Sequence, residues 1–139
     1  MCNRKKRTPR SGVAAVEFAL VAPIFFLLVF GLIEFGRMMM VQQSLTNAAR
    51  EGSRVAVMPN TKNGADVEAR MRDYLQSVMA NAGDTGEVRV TVPGNLGTVT
   101  SGATLTVSVE VDYLDVSWVP LGYLGLNPTI AASQIGIRE

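Results

Sequence analysis

The sequence predicts an α+β chain: a long N-terminal helix that crosses a membrane, a second amphipathic helix, and a small antiparallel sheet of about three strands. Three observations carry this. Phe18 to Ile33 reads FALVAPIFFLLVFGLI, sixteen residues without a charge. Apolar residues then recur at three- and four-residue steps as far as about Val57, and again over 65–82. The last third changes period, with strict apolar/polar alternation bounded by glycine and proline.

The first element is a membrane span. Extended back to Val13, the apolar run is 21 residues interrupted only by Glu17. As a helix it covers roughly 31 Å, the thickness of a bilayer core. The hundred or so residues that follow could hardly wrap a helix apolar on every face, so a buried helix of a soluble domain is the poorer reading. Arg4, Lys5, Lys6, Arg7 and Arg10 precede the span and hold the N-terminus in the cytoplasm, placing everything after it on the extracytoplasmic side. With these five of thirteen cations in the leader, eight remain against twelve acids, a net of −4. A basic face spread over the folded part, as nucleic-acid binding requires, is therefore absent. The run leads into Glu34-Phe35-Gly36-Arg37 without an A-x-A-like cleavage site, so it reads as a retained anchor rather than a secretory signal. Pro23 removes one helical hydrogen bond, and a kink or local loosening is expected there. The expected divisions are residues 1–12, a basic leader; 13–57, the span continuing as an extracytoplasmic helix; and 58–139, an α+β domain.

Past the span, Phe35, Met38, Leu45, Ala48, Ala49, Gly52 and Val55 mark one helix face. Leu45, Ala48, Ala49 and Gly52 form a candidate packing face whose small residues admit another backbone: the chain's own sheet, the helix of another subunit, or both. Glu34 and Arg37, three apart, can pair on one face. Met38-Met39-Met40 reads as adaptable packing rather than a cofactor box. Pro59 to Gly64 is a loop by composition. The second helix, Ala65 to Ala82, is expected to line up Val67, Met71, Leu75, Val78 and Ala82, and to stop at Gly83.

Glu87 to Val92 is the first expected strand. Thr104 to Tyr113 is the second, with Leu105, Val107, Val109, Val111 and Tyr113 inward. The third, about Thr129 to Arg138, brings Ile135 and Ile137. Between the last two lies an apolar loop rich in glycine and proline, holding Trp118, Tyr123 and Leu124. It fits a cap on the sheet core, a membrane-surface contact or a contact with a partner subunit.

Chemistry is sparse. Cys2 is the only cysteine and histidine is absent, which excludes an intramolecular disulfide and removes the usual zinc ligands and general base. Gly94, Gly97 and Gly102 do not form a phosphate-cradling loop before a helix. Asp112 and Asp115 read as turn or solubility residues, and no nucleophile has a base. The reading is a non-enzymatic chain with no cofactor, no metal, no nucleic acid and no small-molecule substrate.

One motif remains. Arg10-Ser11-Gly12-Val13-Ala14-Ala15-Val16-Glu17-Phe18 is a basic leader, a glycine, then an apolar helix with an acid at its fifth position. This resembles the substrate motif of prepilin peptidases. Together with Gln43 to Arg54 and the terminal Ile130 to Glu139, it is similar to TadE-like pseudopilins, minor pilins of the Flp or tight-adherence (Tad) pilus system. The resemblance implies a pilin-like fold and cleavage between Gly12 and Val13, leaving 127 of the 139 residues. It implies an assembly role for Glu17 and Phe18, in pilus assembly, surface adhesion and biofilm formation. Glu17 would compensate the new α-amino group of a neighbouring subunit; the plainer reading is a hydrated or protonated acid at the membrane boundary. The implied partners are the prepilin peptidase, the major Flp pilin and other minor pilins, inner-membrane platform proteins and the lipid bilayer. The implied place is the cytoplasmic (inner) membrane, single-pass, with passage into the pilus on assembly. The competing reading is an uncleaved single-span scaffold of the pilus machine.

Overall fold

The computed structural model describes residues 11–79, 88–117 and 128–138. The described elements are α1 (Ser11–Ala56), α2 (Gly64–Met79), β1 (Arg89–Thr91), a 3-10 turn (Leu96–Thr98), β2 (Thr104–Asp112), a short helix α3 (Tyr113–Val116) and β3 (Thr129–Ile137). The α+β expectation holds, with one long apolar helix, a second helix and three antiparallel strands. Two compact units divide between Phe35 and Gly36, within α1.

In the first unit, α1 runs through Pro23 without interruption. Pro23 has no N–H to offer the carbonyl of Ala19, which leaves one acceptor unmet by the helix. From Val13 to Phe35 every large apolar side chain except Val29 is exposed. Phe25 meets Phe26 edge-on at 5.8 Å, and Phe26 stacks on Phe30 at 6.4 Å. Leu20 and Leu27 are 71% and 74% exposed, values that belong to a surface made for an apolar solvent.

In the second unit the sheet order is β1-β2-β3, all antiparallel, with Arg89 opposite Glu110 and Thr104 opposite Ile137. β2 is central, paired with β1 on one side and β3 on the other, and its alternation is the cleanest. Leu105, Val107, Val109 and Val111 are buried, while the residues between them face outward or are half-buried. Tyr113 is buried as expected, but it opens α3 rather than ending the strand.

The second part of α1 lies along β3 in the same direction. Gln42 Nε2 donates to the Ala131 carbonyl at 3.2 Å, while a Cβ on Gly136 would lie 2.6 Å from Val57 and 2.7 Å from Ser53. Gly136 therefore permits the close approach of strand to helix. The buried stripe of α1 is Val41, Leu45, Ala48, Ala49 and Ala56, with Met38 and Val55 half-buried. Phe35 is exposed, contrary to its expected place in the stripe, because the stripe belongs to the second unit, which begins one residue later.

α2 starts at Gly64, whose N–H donates to the Gly94 carbonyl at 3.2 Å. Its buried residues are Val67, Met71, Leu75 and Met79. Val78, expected inward, is exposed, since three strict four-residue steps from Val67 reach Met79. Ala82, Gly83 and Glu87 lie outside the described residues. In β3 the inward residues are Ile130 and Ala132, and Ile135 and Ile137, the isoleucines that mark the expected strand, point outward. Strand parity decides this: Ile135 and Ile137 share odd numbers with exposed Ala131 and Ser133.

Arg138 has the inward parity and is 7% exposed. Its Nη1 donates to the Ala56 carbonyl at 3.3 Å and its Nη2 to the Thr61 carbonyl at 3.1 Å. Thr61 Oγ1 donates in turn to the Val55 carbonyl at 2.8 Å. The end of α1 is thereby closed by a cation and a hydroxyl, which meet carbonyls the helix leaves unpaired.

Candidate functional site

The sequence nominates a junction, a packing face and a loop. At the junction, Gly12 and Val13 lie in the first turn of α1, both exposed, and a Cβ on Gly12 would meet nothing within 4 Å. No acidic residue sits in that turn. Glu17 and Phe18 follow one turn later, both exposed. Glu17 has no hydrogen bond or ion pair among the described residues.

Leu45, Ala48, Ala49 and Gly52 are all buried. A Cβ on Gly52 would fall 2.3 Å from Met71 Sδ and 3.2 Å from Val107 Cγ1. Within the chain this face packs against the second helix and the sheet. Of the methionine run, Met38 packs on the core while Met39 and Met40 are exposed. Arg37 Nε donates to the Val116 carbonyl. Trp118, Tyr123 and Leu124 lie outside the described residues.

The polar surface is explained by local pairing. Asp112 accepts from Arg89 at 2.8 Å and from Thr129 at 3.2 Å, tying together the outer faces of all three strands. Asp115 is exposed. A groove of about 450 Å³ is lined by Asn47, Arg50, Glu51, Arg54, Arg70, Asp73, Tyr74 and Ser77. Within it Arg54 clasps Glu51 at 2.9 and 2.7 Å, and this hydrogen bond holds the Glu51 carboxyl below its ordinary value. Among the described residues no group of three or more His, Cys, Asp or Glu is placed to hold a metal. Sequence reasoning missed Arg138, and the signal that finds it is the even numbering it shares with Ile130 and Ala132.

What the geometry isolates is a helix that exposes its large apolar side chains over the first unit, Val29 apart, and carries the buried stripe of a domain over the second. The family model described as TadE-like protein matches residues 12–54. The TadE-like segment opens at Gly12, beside the expected cleavage bond, and closes two residues before α1 ends at Ala56. It covers the apolar run, Glu17 and the buried stripe. The helices, strands and loops beyond residue 54 lie outside the match. None of the curated proteins or solved structures matches the chain.

Proposed function

We propose that this chain is a minor pilin or pseudopilin of a Tad (Flp) pilus system, cut by a prepilin peptidase between Gly12 and Val13 and held in the cytoplasmic membrane until assembly. The observation that carries the reading is the coincidence of three things on one helix. The TadE-like match begins at Gly12. The large apolar side chains that follow are, Val29 apart, without cover. Glu17 sits alone on that apolar stretch, five positions into the mature chain. Removing residues 1–12 removes the five leader cations, the electrostatic hold on the cytoplasmic face, so that the span can later be drawn out of the bilayer. Glu17 then offers a carboxylate to the new α-amino group of a neighbour, an arrangement worth far more in lipid than in water. Its partners on this reading are the peptidase, the major pilin, other minor pilins and the inner-membrane platform, and its role is in adhesion and biofilm formation.

The experiment is a mass measurement of the N-terminus of membrane-extracted protein. A mature chain beginning at Val13 supports the reading, and an intact leader supports the uncleaved scaffold instead. Glu17→Ala is expected to be cleaved normally but recovered in sheared pili at less than a tenth of the wild-type amount. Wild-type incorporation of that variant would remove the role assigned to Glu17.

A further inference from the structure

Among the described strands β3 is one edge of the sheet, and its hydrogen-bonding pattern follows from two flanking contacts. Arg138 N donates to the Ala103 carbonyl at 3.0 Å, and Tyr113 N donates to the Pro128 carbonyl at 2.9 Å. In the register of β2 against β3 these are the positions just beyond each end. Bonded pairs in an antiparallel ladder recur at every second residue. The even-numbered residues of β3 therefore bond to β2. Thr129, Ala131, Ser133, Ile135 and Ile137 turn their N–H and C=O groups away from it. Gln42 takes the outward carbonyl of Ala131, as this parity requires. Along Ser133, Ile135 and Ile137 the outward peptide groups have no partner among the described residues.

Folded proteins defend such an edge with charge, proline, a bulge or short length. β3 is nine residues, TIAASQIGI, without an ionisable side chain or a proline, and its register to β2 is unbroken. The opposite edge, β1, is three residues long and carries Arg89. On the outer face Ile135 and Ile137 are 62% and 63% exposed, beside Thr106 and Thr104 of β2.

We infer that β3 accepts a fourth strand, an uncharged extended segment of another polypeptide, paired to the outward peptide groups of Ser133, Ile135 and Ile137. Backbone bonds give the affinity and the two isoleucines grip alternate side chains of the incoming strand. The occupant is uncharged on electrostatic grounds. β3 offers a charged neighbour no counter-charge, and Ile135 and Ile137 offer it only apolar surface, which an uncharged strand matches. The source of that strand, another pilus subunit, rests on the function proposed above; the edge itself does not.

The test is residue-resolved amide exchange on the full chain, purified in detergent micelles and again in sheared pili from producing cells. In micelles the amides of Ser133, Ile135 and Ile137 should exchange at open rates while those of Ala132, Gln134 and Gly136 are protected. In pili the odd-numbered set should slow at least tenfold. Ser133→Pro removes only an outward donor, so the even-numbered protection survives while the gain at Ile135 and Ile137 disappears. Ile135→Lys should abolish the gain in the same way. Odd-numbered amides that stay fast in pili overturn the inference, as does concentration-dependent protection in micelles, which means pairing with a second copy. Finding Val13 at the N-terminus in the same samples separates the two failures: fast amides with Val13 present sink only the strand addition.

Discussion

Arg138 is the side chain whose loss reaches furthest. Its guanidinium is buried, and two of its donors satisfy the carbonyls of Ala56 and Thr61, more than seventy residues earlier in the chain. Arg138→Met keeps the apolar stem and removes the donors, leaving two inward carbonyls unmet. The expected loss is about 2–4 kcal/mol, read as a lower urea midpoint of the full chain in detergent micelles. Glu51 is a milder case. Its carboxyl is held below the ordinary value of 4.5, chiefly by the hydrogen bond from Arg54. A lowered folded value adds stability above 4.5 that is lost as pH falls through the folded value. Glu51→Gln should therefore flatten the fall in Tm below pH 4.5 and leave neutral pH little changed, since both partners are solvated. Gly52 and Gly136 could be found in sequence as glycines, but not as close approaches. The atoms that crowd them come from Met71, Val107, Val57 and Ser53, far away in the chain.

At the scale of elements, period was the reliable signal. The 3.6 period gives α1 and α2, and the period of two gives β2 with its inward face correct at every position from Leu105 to Val111. Where period allows two neighbouring apolar residues to compete, it does not choose. Val78 and Met79 are adjacent at the end of α2, and only packing selects Met79, at 3% exposure against 44%. Met79→Ala should cost about 2–4 kcal/mol and Val78→Ala less than about 0.5 kcal/mol, compared by the same denaturation measurement. Register likewise decides what composition leaves open at Ile135 and Ile137. Hydrophobicity argues for the core, yet the strand's parity, fixed by its register on β2, turns them outward.

For the whole molecule, the two halves of α1 answer to different solvents. From Val13 to Phe35 the large apolar side chains of the helix are exposed, Val29 apart, and from Gly36 onward it carries a core stripe. Orientation on this reading depends on the leader and not on the domain. Replacing Arg4, Lys5, Lys6, Arg7 and Arg10 with Gln should therefore leave a mixed population. A protease added outside spheroplasts would then digest the C-terminal domain in only part of the protein, against nearly all of it for the wild type. Digestion of both to the same extent would show that the leader charges do not set topology.

The amino-acid sequence alone determined the apolar span, both helices and the central strand, because each is written in local order: a run or a period. Tertiary structure alone decided which neighbour in a pair is buried, that Leu45, Ala48, Ala49 and Gly52 are consumed by the chain's own core, that Arg138 closes α1, and that β3 is an edge. Those facts depend on strand order and register, and register is fixed by partners tens of residues away. A period of two says only that alternate residues share a face, and the contacts across the sheet say which face meets the helices.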